Sequence, residues 1–148
     1  MPITFHTIDI KLPPIKKAAL KKFMAAQALK EVKKKLHITY VFCSDEYLLN
    51  MNRQFLEHDY YTDIITFPLS ETEKEIEAEI YISIDRVKDN AAKFKTEFLE
   101  EFHRVIFHGV LHLMGYKDKS KADKETMRNK ENEWLRKFKT ALKALQTK

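Results

Sequence analysis

Glycine is almost absent from this chain of 148 residues: there are two, Gly109 and Gly115, and both fall within one short segment. With only four prolines besides, few positions favour a positive φ or force a break, so the chain has to be built from regular elements with short connections. No Ser/Gly-rich linker and no internal repeat interrupts it. One domain over residues 1–148 is the expected organisation, and the length is enough to bury a real core. The hydrophobic fraction of 44% excludes wholesale disorder.

Residues 3–8 alternate apolar and polar and read as a strand. Pro13-Pro14 opens a helical segment carrying Ile15, Ala18, Leu20, Phe23, Met24 and Leu29. A second strand is predicted over 37–43, and Ser44-Asp45-Glu46 reads as an N-cap with acids in the first turn of a helix running to about residue 56. Residues 63–67 form a short β-branched strand stopped by Pro68, 70–77 an acidic surface connection, and 78–83 a fourth, cleanly alternating strand. Helices follow over 83–95, from Thr96 with a capping arrangement through Leu99-Glu100, and from Ser120 or Asp123 through Trp134, Leu135, Phe138, Leu142 and Leu145. Four strands with about five helices between and after them indicate an α+β fold.

The net charge of +5 is unevenly distributed. Residues 1–36 hold 9 Lys against 2 acids, residues 117–148 hold 11 Lys/Arg against 5 acids, and the centre holds 7 against 15. Two basic ends around an acidic middle suit a polyanion such as RNA, although lysine-rich helices are also simply well solvated. The single cysteine, Cys43, lies in an apolar run and reads as a buried thiol rather than a nucleophile; no intrachain disulfide can form. A reduced, cytoplasmic location is expected from this usage, from an N-terminus without a signal-peptide pattern and from the lack of a bilayer-length apolar stretch.

The segment that carries chemistry is Phe107-His108-Gly109-Val110-Leu111-His112-Leu113-Met114-Gly115-Tyr116-Lys117-Asp118. Four residues of helix turn through about 400°, so His108 and His112 project from one face, a turn apart, as two imidazoles on one metal must. Gly109 is a costly residue in mid-helix, and close approach to the metal or a substrate is its expected purpose. Gly115 is placed to end the helix in a left-handed conformation, and Asp118 stands where the returning chain can add a carboxylate. The site is thus expected at the end of a central helix. Two imidazoles and one carboxylate would hold one divalent metal, zinc by preference, with a position left open for a water that ionises near neutral pH. Gly109 occupies the place where a His-Glu-x-x-His peptidase carries its general base, which argues against peptidase chemistry.

This segment resembles the signature of the YbeY family, the rRNA maturation endoribonucleases. Three further segments match the family in order: Asn52-Arg-Gln-Phe-Leu-Glu-His-Asp59, Thr62-Asp-Ile-Ile-Thr-Phe-Pro68 and Glu79-Ile-Tyr-Ile-Ser83. The resemblance implies a mixed four-stranded sheet packed with helices. It also implies a metal-dependent, single-strand-specific endoribonuclease acting in rRNA 3′-end maturation and ribosome quality control. The implied partners are rRNA and the ribosome or pre-ribosomal small subunit, with no membrane and no DNA. Two positions depart from the family pattern. Asp118 stands where relatives use a histidine as third ligand, which makes the donor set harder. Leu56 stands where relatives often carry an arginine, so a cation for phosphate must come from elsewhere; Lys117 is the candidate.

Secondary candidates are Asp63, either a hydrogen-bond partner of a metal-bound imidazole or a turn residue, and Tyr60-Tyr61, either a stacking platform for bases or packing at the sheet edge. His58 reads as a solvated loop residue, and His103 as structural or exposed, off the ligand face. The alternatives to a nuclease are a ribosome-associated RNA-binding factor whose metal is mainly structural, and a metallohydrolase of another substrate.

Overall fold

In the computed structural model, which describes residues 3–58 and 61–146, five helices pack around a four-stranded sheet. The elements run β1 (Ile3–Ile8), α1 (Lys17–Val32), β2 (Lys35–Cys43), α2 (Asp45–Phe55), β3 (Ile64–Glu71), β4 (Glu75–Ser83), α3 (Ile84–Phe94), α4 (Phe98–Leu113) and α5 (Lys121–Gln146). The sheet order is β1-β2-β4-β3. β1, β2 and β4 are parallel, and β3 joins the edge antiparallel to β4. The expected α+β fold with a mixed sheet is therefore present.

Strand alternation decides which face each side chain serves. Ile76, Ala78, Ile80 and Ile82 of β4 join Leu36, Ile38, Tyr40 and Phe42 of β2 in the main core under α1, α3, α4 and α5. Among the described residues the opposite face is covered by α2, through a small cluster of Cys43, Leu48, Met51 and Ile65. Burial pushes the Cys43 thiol up to about 12, helped by Asp85, Asp9 and Asp45, so it stays protonated and inert.

Helix α4 is enclosed. Phe102, Val105, Ile106, Phe107, Val110 and Leu111 are all buried, and the Tyr40 hydroxyl donates to the Ile106 carbonyl at 2.7 Å. Helix α5 closes over it with Met127, Trp134 and Phe138. The Trp134 indole N–H and the Lys130 ammonium both donate to Glu31 of α1, at 2.9 and 2.7 Å.

Several boundaries differ from the sequence expectation for physical reasons. α1 begins at Lys17 rather than at Pro13-Pro14: Pro14 keeps Pro13 from helical angles, and Lys16, itself non-helical, is the N-cap. Pro68 does not stop β3, which continues to Glu71; as an edge strand it tolerates a missing N–H, and a register shift between Pro68 and Ser70 absorbs the misfit. Residues 70–77 are thus a hairpin rather than a surface connection, tightened by the Thr72 hydroxyl, which accepts from the Lys74 and Glu75 N–H groups. β2 starts at Lys35 and β4 at Glu75, both earlier than expected. Thr96 is not the N-cap of α4, since its N–H closes the end of α3 on the Ala91 carbonyl at 2.9 Å. Ser44, Ser83 and Ser120 do cap α2, α3 and α5.

His103 is structural, as expected for a residue off the ligand face. Its ring stands edge-on to Phe138 at 5.1 Å and its Nε2 has no hydrogen-bond partner. Burial lowers its pKa to about 4.

Mid-helix Gly109 faces the sheet rather than the cleft. A Cβ there would meet Ile80 Cδ1 at 2.8 Å and Ile64 Cδ1 at 3.1 Å, so α4 packs on β4 and β3 at a distance that needs glycine. Gly109→Val should destabilise the fold by about 2–3 kcal/mol through overpacking, read by chemical denaturation. The unfolded chain protonates His103 before the folded one does. The stability tied to this residue is therefore full above pH 6.5 and falls by roughly 3 kcal/mol as pH drops toward 4. Stability curves of wild type and His103→Phe over pH 4–7 check this: the variant should lose that part of the slope.

Candidate metal centre

The end of α4 meets the start of β3 at a cleft of about 430 Å³. His108, His112 and Asp118 all line it, opposite Asn52 of α2, Leu56 at its C-cap, and Ile64, Ile65 and Thr66 of β3. The chain reaches Asp118 because α4 ends at once. The Gly115 N–H donates to the His112 carbonyl and the Tyr116 N–H to the Leu111 carbonyl, both at 3.1 Å, a Schellman closure. Gly115 has φ +112°, while a Cβ on it would meet nothing within 4 Å. The backbone angle, not space, requires glycine here. After the turn, Asp118 Oδ2 stands 3.4 Å from His108 Nε2.

The other ring nitrogen of His108 is committed elsewhere. Its Nδ1 lies 2.7 Å from Glu131 Oε2 of α5. Glu131 is buried, with Arg104 at 3.1 Å and Arg128 at 3.7 Å on its other oxygen. In the neutral ring the carboxylate holds the proton on Nδ1 and leaves the Nε2 lone pair toward Asp118, as ligand imidazoles are oriented in metal sites. Burial alone would lower the pKa of His108. The hydrogen bond and charge of Glu131, with Asp118 and Asp63, outweigh it and the pKa is raised.

The carboxylate hydrogen-bonded to the His108 ring is therefore Glu131 rather than Asp63. Asp63 instead receives the Asn90 amide at 3.4 Å, and burial raises its pKa despite the attraction of His108. It belongs to a second cleft, about 420 Å³, that adjoins the first through Thr62, Ile64, His108 and Asp118 and is also lined by Arg104 and Arg128. Lys117 is exposed and lines neither cleft. His58 is exposed but lines the first cleft, and Leu56 brings no charge into it. Tyr61 donates to Glu46 at 3.1 Å and lies 5.0 Å under the Arg86 guanidinium, while its side chain stays exposed. Asp59 and Tyr60 fall outside the described residues.

Two imidazoles and a carboxylate in one cleft are the donor chemistry of a divalent-cation site. Among the described residues no group of three or more His, Cys, Asp or Glu side chains is arranged to hold a metal ion; His108 and Asp118 pair directly instead. His112 is exposed and the Asp118 side chain is 46% exposed, so both can rotate about their side-chain bonds without disturbing the core.

Glu131 escaped the sequence reading, yet its signal was present. Met127, Glu131, Trp134 and Phe138 follow the spacing of one helix face. A carboxylate on an otherwise apolar stripe is costly unless a partner waits for it.

Sheet order, the enclosed helix and the paired imidazoles over an edge-strand cleft define a class: small α+β proteins with a His-x3-His helix at a candidate metal centre. The endoribonuclease YbeY family matches residues 3–139, and the chain belongs to that family. A protein of Cytophaga hutchinsonii named endoribonuclease YbeY is 51% identical over 138 residues, 92% of this chain and 96% of its own. One of the same name from Parabacteroides distasonis is 48% identical over 135 residues, 91% and 94% of the two chains. The solution structure of TM1509 from Thermotoga maritima superposes with a TM-score of 0.59 at 26% identity, covering 96% of this chain and 92% of that one.

Glu131→Gln keeps the shape of the contact but removes the charge that raises the His108 pKa. In NMR titrations of metal-free protein, the His108 ring should titrate at lower pH in the variant than in wild type. An unchanged titration would assign the shift to Asp118 and Asp63 instead.

Proposed function

We propose that this chain is a metal-dependent, single-strand-specific endoribonuclease acting in rRNA 3′-end maturation and ribosome quality control. Its partners are then rRNA and the ribosome or pre-ribosomal small subunit, and its place of work the cytoplasm. Family membership supports the reaction class. The observation that carries the reading is the His108–Glu131 pair, which leaves Nε2 beside Asp118 in the cleft that His112 also lines. No helix among the described residues is long and apolar enough to cross a membrane.

His108 through Nε2, His112 through its ring and Asp118 through its carboxylate would hold one divalent cation, with zinc the preferred metal for this nitrogen-rich set. Such a cation supplies Lewis acidity toward the phosphodiester and lowers the pKa of water. Glu131 keeps His108 in one tautomer and orientation. Asp118 replaces an imidazole with a charge, which also pairs with His108 when the latter is protonated. Leu56 gives the cleft wall no cation, so charge for the RNA backbone has to come from Arg128, about half exposed in the adjoining cleft, or from Lys117 beside Asp118. A purely structural metal finds less support, because α4 is already held by its buried aromatic residues, by Tyr40 and by Glu131.

Purified wild type should cleave single-stranded RNA and spare duplex RNA, and metal analysis should find one divalent ion per chain. A chelator, or His112→Ala, should reduce cleavage by at least about 100-fold, the order of rate loss expected when a principal catalytic group is removed. Cleavage that persists unchanged under both treatments would overturn the reading; binding without any cleavage would favour a ribosome-associated factor.

A further inference from the structure

Just past its C-cap, α2 is followed by a left-handed residue, Glu57 with φ +55°, and the chain turns there. The Leu56 and His58 N–H groups both donate to the Asn52 carbonyl, at 3.1 and 3.0 Å, and Asn52 is buried. His58 is thereby tied through its backbone to the end of a packed helix. Its exposed imidazole lines the same cleft as His108, His112 and Asp118. Among the described residues lining that cleft, the polar side chains besides the three candidate ligands are Asn52, His58, Thr62 and Thr66. An amide and two alcohols do not exchange charge with a substrate near neutral pH, whereas an imidazole can give or take a proton there. Asp63 and Arg128 line the adjoining cleft and not this one, and Lys117 lines neither.

We infer that His58 is the general acid of RNA cleavage, giving a proton to the ribose oxygen that leaves phosphorus. The inference rests on the endoribonuclease reading above and adds a catalytic residue to it. The reaction calls for such a donor, because cutting a phosphodiester expels an alkoxide, a poor leaving group until it is protonated. With water as nucleophile, a new P–O bond forms to the water oxygen, which loses one proton to solvent. The bond between phosphorus and the 5′-oxygen breaks, and its electron pair stays on that oxygen. The 5′-oxygen takes the proton of the His58 imidazolium, and solvent returns one to the ring. Position agrees with this role. An in-line displacement sets entering and leaving oxygens on opposite sides of phosphorus. His58 enters the cleft from the end of α2, while His108 and His112 enter it from α4. At about 430 Å³ the cleft is at the small end of ligand-sized cavities, so groups from both sides meet the same bound fragment.

Two single-stranded RNA substrates for the zinc-loaded full chain test this, one ordinary and one with sulfur replacing the 5′-oxygen at a single linkage. A thiolate leaves without being protonated, since thiols are far stronger acids than alcohols. His58→Ala and His58→Gln should each cut the ordinary strand about 100-fold more slowly than wild type, the usual scale for a lost general acid. Both should cut the sulfur-bridged linkage within about threefold of the wild-type rate. Their melting temperatures should match wild type, because the ring is exposed. Equal losses on the two substrates, or no loss on the ordinary one, overturn the inference while leaving the nuclease reading intact. Wild type that cuts neither substrate overturns the nuclease reading, and the acid role with it. A second readout needs no turnover. With chelator present, the His58 ring signals in an NMR spectrum should shift when the ordinary strand is added, and signals that stay in place overturn the inference.

Discussion

The close seat of α4 on the sheet is the constraint from which the rest follows. Without a Cβ at Gly109, the helix presses against Ile80 and Ile64 and buries Phe102, Ile106, Phe107 and Val110 on the faces turned inward. A helix buried on so many sides has little freedom to rotate or slide. Its remaining exposed strip carries His108 and His112, which are therefore aimed by core packing rather than by local chemistry. The glycine expected to serve a ligand serves the placement of the histidines instead.

Helix α5 supplies the second half of the arrangement. It brings aromatic bulk through Trp134 and Phe138 and, on the same stripe, the carboxylate of Glu131. A buried acid costs stability unless it is fully engaged, and this one engages His108, Arg104 and Arg128 together. Packing of α5 on α4 and tuning of the imidazole are thus one event. The Lys130–Glu31–Trp134 contacts pin α5 to α1 as well, which carries the first helical segment into the support of the site.

The legible parts were those with strong local signals: alternating strands 3–8 and 78–83, the serine caps, and the His-x3-His segment with its two glycines. What stayed hidden depended on neighbours in space. Pro68 reads as a terminator in one dimension and is tolerated only because β3 turned out to be an edge. Thr96 has the composition of a cap but is already used by the preceding helix. Asp63 and Glu131 could not be ranked as partners of His108 before the packing of α5 was known, since 23 residues separate Glu131 from that imidazole. Lys117 is adjacent to Asp118 in sequence yet lines neither cleft.

The irregularity in β3 has a consequence beyond its own strand. An outer strand normally offers a ladder of unpaired donors and acceptors on which a second polypeptide can zip. Here Pro68 removes a donor in the middle of that ladder, and the adjacent shift toward Ser70 kinks what is left. Self-association through this border is disfavoured, so concentrated protein should be protected against strand-by-strand polymerisation there. The same rim, through Ile64, Ile65 and Thr66, also flanks the cleft of His108 and His112, so blocking β-addition keeps that mouth clear.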